Sequence, residues 1–149
     1  MTNLQGDIAL TRVCGVELKS SDAILVVVEK TDENVELIDI GQKKIKIGDD
    51  ERSSEVKSFF DAFVDFVHEN NIDIVVLKKR AKIGKMAGGA VSFKLEALIQ
   101  LNGIVDTILI SGQKIAAANK KDPLEIPEKL NKYQETAFLA ACIYIRENV

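Results

Sequence analysis

The apolar residues of this 149-residue chain change their spacing near residue 53, and that change limits the folds open to it. Before it lie three runs of strand character. Ile8–Lys19 (IALTRVCGVELK) is rich in β-branched residues and alternates through Cys14, Val16 and Leu18, with Gly15 as a small residue that lets something approach the backbone. Ala23–Glu29 (AILVVVE) is apolar almost throughout, as in a strand covered on both faces. Val35–Ile47 alternates through Val35, Leu37, Ile45 and Ile47, with Gly41 as a point of interruption. The turn clusters Ser20-Ser21-Asp22 and Thr31–Asn34 are short, so the three runs predict an antiparallel meander. Beyond the change, Val56, Phe59, Phe60, Phe63, Val64 and Val67 recur every three or four residues, with Lys57, Asp61, Asp65 and Glu69 between them. This spacing predicts an amphipathic helix from Ser53 or Ser54, where a serine can cap the free amides, to Asn70 or Asn71. Five of the six phenylalanines fall between Phe59 and Phe93, which centres the core there.

The remainder alternates strand and helix. Asp73–Leu77 reads as a short buried strand, Lys78–Ala90 as a loop, and Val91–Leu101 as a helix stopped by Asn102-Gly103. Val105–Ile110 is a fifth strand ended by Ser111-Gly112, and Gln113–Asp122 is open between a short helix and a loop. A last helix is expected from Pro127 or Glu128 to about Arg146, with Tyr133 on its core side and Gln134 on its surface. The order is β-β-β-α-β-α-β-α. Parallel strands need long crossovers, which the helices supply, so the expectation is an α/β domain over residues 1–149, with residues 1–7 as a flexible tail. Its mixed five-stranded sheet takes the order 3-2-1-4-5, with the first strand central.

A chain of this length buries roughly two-thirds of its unfolded surface and needs no disulfide or metal to fold. The two cysteines, Cys14 and Cys142, fit a reducing compartment. No basic-then-apolar leader opens the sequence and no apolar stretch has bilayer-spanning length, so a cytoplasmic location without membrane contact is expected. The net charge of −3 gives no global field that would attract nucleic acid, so any such contact has to come from a local patch.

Two stretches carry a resemblance. Val13–Lys19 (VCGVELK) resembles the opening strand of a bacterial family known as domain of unknown function 3010. Gly84–Lys94 (GKMAGGAVSFK), continuing through Glu96 and Gln100, resembles that family's central block. The likeness covers nearly the whole chain and implies the ribonuclease H-like fold, whose element order is the one read above. In that superfamily, nucleases and resolvases place an acid on the central first strand to hold Mg²⁺; Glu17, in Gly-Val-Glu-Leu, matches it. A second acid often ends the fourth strand, where this chain has Lys78, Lys79 and Arg80. A third lies early in the last helix, where Glu128 and Glu135 are the nearest acids and Thr136 occupies the matching position. The resemblance thus gives one reading: a Mg²⁺- or Mn²⁺-dependent nuclease or resolvase with Glu17 as metal ligand and catalytic acid, helped by Glu135. The bland alternative is that Glu17 pairs with Lys19 or another base.

The residues themselves favour a different site. Between Lys78 and Lys94 lie Lys78, Lys79, Arg80, Lys82, Lys85 and Lys94 and no acid, which leaves −9 on the rest of the chain. Gly84, Gly88 and Gly89 let backbone amides face a ligand, and phosphate or a nucleic-acid backbone is the physically sensible partner. The segment is not a Walker motif, and Phe93 alone makes no stacking platform. Its bland counterpart is a solvated loop balancing an acidic neighbour in the fold or in a homodimer. His68, the only histidine, has no ligand-spaced partners for zinc, and Cys14 reads as a small core residue rather than a nucleophile. Three functions follow: a non-catalytic nucleic-acid- or phosphate-binding module, the metal-dependent nuclease, and a dimeric interaction protein without a small ligand.

Overall fold

The structure, a computed structural model, describes residues 10–81 and 89–149. Strand β1 (Thr11–Lys19) pairs antiparallel with β2 (Asp22–Lys30) over its whole length, from Thr11↔Lys30 to Lys19↔Asp22. The left-handed Ser20 (φ 54°) makes the tight turn between them. Strands β3 (Val35–Ile38) and β4 (Lys44–Lys46) both pair with β2. Helix α1 (Ser53–Glu69) then crosses to β5 (Ile74–Lys78), which runs parallel to β1, and α2 (Ala90–Gln100) crosses to β6 (Thr107–Ile110), parallel to β5. Helix α3 (Gly112–Lys121), a 3₁₀ turn (Lys132–Gln134) and α4 (Glu135–Asn148) complete the chain. The path β3-β2-β1-β5-β6 is the expected order with β1 central, and β4 is an addition to it.

The differences from expectation have local causes. The third strand is two, because the chain leaves the sheet after Ile38 to bury Ile40 and returns at Lys44. The gap falls opposite Leu25. Its N–H still finds the Lys43 carbonyl at 2.9 Å, but its own carbonyl is met by a side chain, the Gln134 amide, at 2.9 Å. Gln134 is therefore buried, while Tyr133 is only partly so and carries the Lys44 ammonium 4.3 Å above its ring; this inverts the expected core and surface roles. Asn131 and Gln134 form a capping box, so the last helix starts after it and not at Pro127 or Glu128. Residues 112–121 are a helix, capped by the Ser111 hydroxyl, which accepts from the Lys114 N–H at 3.1 Å. The expected serine cap on α1 is not made: Arg52 occupies the cap without a side-chain bond.

Helices cover both faces of the sheet. Cys14, Val16 and Leu18 point to one face and pack with Phe59, Phe63 and Phe66 of α1 and with Leu95 and Ile99 of α2. Val13, Val26, Val28 and Val76 point to the other and pack with Ile115 of α3 and with Ala137, Ala140, Ala141 and Ile143 of α4. Alternation puts Gly15 and Glu17 on this second face. A side chain at Gly15 would collide with the Ala137 carbonyl and lie 3.0 Å from Ala141 Cβ, so this glycine lets the α4 backbone rest on β1. Among the described residues no helix is long and apolar enough to cross a membrane.

Candidate functional site

The carboxyl ends of β1 and β5 are where an open α/β sheet presents its ligand-binding crevice. The paired register Val16↔Leu77 places Glu17 beside Lys78 one step further along, on the face covered by α4. Glu17 is 5% exposed, and the Lys78 ammonium lies 3.5 Å from its Oε2. The pair is close enough for the charges to offset each other, as a buried carboxylate requires. Lys19, at the exposed end of β1, is not the ion-pair partner of Glu17.

Metal chemistry at Glu17 does not fit this donor set. Two-metal hydrolysis needs several carboxylates around the ions. Here the one carboxylate has an ammonium against it. Glu135, the other expected acid, is ion-paired with Lys132 at 3.7 Å. Among the described residues, no three of His, Cys, Asp and Glu come together to hold a metal ion.

The basic stretch divides. Arg80 turns inward: its Nη1 donates to the Leu18 carbonyl at 2.8 Å, and its backbone N–H donates to the Glu96 carboxylate at 3.3 Å. Lys94 donates to the Asp50 carbonyl at 2.8 Å and to its carboxylate at 3.1 Å. Three of the four described basic side chains of the segment thus hold partners within the protein, which narrows the surface expected from charge alone. Lys79 is exposed; its backbone N–H continues the sheet to the Ile110 carbonyl, and no described carboxylate pairs with its ammonium. Gly89 caps α2 with an ordinary φ of −74° and open space where a Cβ would stand, so neither strain nor packing demands glycine there. Lys82, Lys85 and Gly88 lie outside the described residues.

A feature the sequence reading missed lies beside the pair. A cleft of about 380 Å³ runs between α3 and α4, with Lys78, Gly112 and Thr136 at one end and Asn119 and Lys120 at the other. A side chain at Gly112 would come 3.0 Å from Lys78 Cε, so this glycine makes room for the lysine stem. Lys78 and Thr136 were named for other reasons; only the packing of α3 on α4 brings them to one groove.

The cysteines are inert packing groups. Burial pushes the Cys14 thiol up to about 12 against a weak opposing backbone hydrogen bond from Val26, and pushes Cys142 up to about 12 despite Arg146 nearby. They pack into cores on opposite faces of the sheet. His68 is exposed near the end of α1.

Comparison with known proteins places the fold. Thermus thermophilus RuvC in complex with a Holliday junction substrate superposes with a TM-score of 0.65 at 11% identity, covering 93% of this chain and 96% of that one. A second structure of the same protein gives 0.64 at 12% identity, covering 92% and 96%. At such identity the likeness shows the shared ribonuclease H-like architecture. No curated protein matches the sequence. Residues 11–144 match the model of the family described as "Protein of unknown function (DUF3010)", and this chain belongs to that family.

Proposed function

We propose that this protein binds nucleic acid without cutting it, through the carboxyl end of its central strands. The observation that carries this reading is the Lys78 ammonium 3.5 Å from Glu17. A lysine there neutralises the one carboxylate and stands where hydrolysis would require further carboxylates and metal. Exposed Lys79 follows it, and Lys82 and Lys85 belong to the same sequence segment. Lys78, Arg80 and Lys94, each held by a partner within the protein, frame this surface, with Gly88 and Gly89 letting the backbone approach phosphate. A RuvC of the same architecture holds a Holliday junction, which makes a four-way DNA junction a sensible first probe beside plain duplex.

Fluorescence anisotropy with both probes tests the reading. Phosphate contacts release counterions, so affinity should fall steeply between 50 and 200 mM salt, by roughly tenfold for every two contacts. Lys79→Glu, alone and with Lys82→Glu and Lys85→Glu, should weaken binding by about tenfold or more. Binding indifferent to both salt and these changes removes the proposal.

A further inference from the structure

We propose that the cleft between α3 and α4 is a second binding site, for a phosphate monoester joined to a flat or apolar body, as in a nucleoside monophosphate or the phosphorylated end of a strand. It shares Lys78 with the surface proposed above but does not depend on polynucleotide binding there.

The argument is the chemistry of the lining. Its charged side chains are both ammonium groups, Lys78 and Lys120, and no carboxylate lines it. The Asn119 oxygen is committed, accepting from the Leu124 N–H at 2.9 Å, which leaves that amide its two donors. The Thr136 hydroxyl has no partner among the described residues and completes a set able to donate. The Lys78 ammonium has three protons to give; its contact with Glu17 is a 3.5 Å ion pair, and it has no other polar partner among the described residues. A concave surface with cationic and neutral donors and no carboxylate in its own lining, Glu17 lying behind Lys78, selects an anion.

The shape narrows the anion. Gly112 and Lys120 are eight residues apart on α3, about 12 Å along its axis. Ile115, Ala116 and Leu139 form an apolar wall between the two polar ends. Inorganic phosphate would fill one end only. A phosphate at Lys78 and Thr136 with a flat base against Ala116 and Leu139 uses the whole length, and Asn119 and Lys120 then meet acceptors on the base. Gly112 keeps the Lys78 end open, because any side chain there would press on the lysine stem.

Titration calorimetry of the whole protein with adenosine 5′-monophosphate, adenosine and inorganic phosphate tests this, alongside 5′-phosphorylated and unphosphorylated oligonucleotides. Saturable binding of the monophosphate, at least tenfold tighter than adenosine or phosphate alone, is expected. Binding of only the phosphorylated oligonucleotide assigns the cleft to strand ends. Thr136→Val and Lys120→Gln avoid the buried pair and should each weaken binding five-fold or more, whereas Lys79→Glu should leave it unchanged while reducing duplex binding. No saturable binding of either phosphorylated probe, or binding unmoved by Thr136→Val and Lys120→Gln, overturns the site. Failure of the unaltered protein to bind duplex, with monophosphate binding intact, removes only the polynucleotide surface.

Discussion

Glu17 and Lys78 stand side by side on adjacent parallel strands, one residue past the Val16–Leu77 pair of β1 with β5, with the ammonium 3.5 Å from the carboxylate. The Glu17 side chain is 7% exposed and that of Lys78 23%, so the pair sits largely out of water. Removing one partner strands the other. Lys78→Met should destabilise the protein by about 3 kcal/mol, because it leaves a buried carboxylate without a counter-charge. The double change Glu17→Leu, Lys78→Met should recover most of that loss. Urea denaturation of the three variants checks it, and additive losses would show that the two groups are not coupled.

Gln134 closes the one opening in the β2 ladder. Its amide donates to the Leu25 carbonyl at 2.9 Å, deep in the protein. Gln134→Leu leaves that carbonyl unsatisfied and should cost about 2 kcal/mol. Gln134→Glu should cost more, since a carboxylate offers no donor and is buried. Thermal melts of both variants measure the difference; a harmless Gln134→Leu would contradict the role.

Gly15 sets the distance between α4 and the sheet. Any side chain there meets the Ala137 carbonyl, which belongs to helix backbone and cannot swing aside. Gly15→Ala should cost about 2 kcal/mol or more by overpacking. It should also displace Thr136 relative to Lys78, weakening monophosphate binding even where the variant remains folded. Gly41→Ala, at a site with open space around it, is the matched control and should be near neutral.

Both thiols lie above their ordinary value of 9.0, at about 12, because burial disfavours the thiolate. In the unfolded chain they ionise near 9. The folded state therefore holds its protons longer, and the associated stability is intact below pH 9 and declines as pH rises from about 9 to 12. The Cys14→Ala, Cys142→Ala protein should show a shallower fall in melting temperature over that window. A thiol reagent at pH 8 should label neither cysteine in the native protein and both in denaturant. Rapid native labelling would contradict the packing.

The sequence made the sheet legible because its strands are strongly patterned. Ala23–Glu29 and Asp73–Leu77 are apolar runs that only a doubly covered sheet can use, and the phenylalanine stripe of α1 has one compatible period. The break between Ile38 and Lys44 was marked by Gly41 but not decided by it, because the alternation of Ile45 and Ile47 continues across. The role of Gln134 was hidden for another reason. Its partner is 109 residues away, and helical periodicity alone assigns a glutamine to the surface. Charge counting located the positive segment but not its direction. Arg80 looks outward in a sequence but turns inward to Leu18, and Lys94, though exposed, is tied to Asp50, contacts made only when the chain folds. The α3–α4 cleft needed both helices placed, and α3 itself was ambiguous.

On the function proposed above, Lys78 stands where hydrolysis would need carboxylates, and the protein holds nucleic acid and leaves it whole. Incubating the protein with a labelled four-way DNA junction in Mg²⁺ or Mn²⁺, and following binding and strand length together, tests this most directly. The result predicted is salt-sensitive binding that metal does not enhance, with every strand intact. Metal-dependent cleavage that disappears in Glu17→Gln would contradict it.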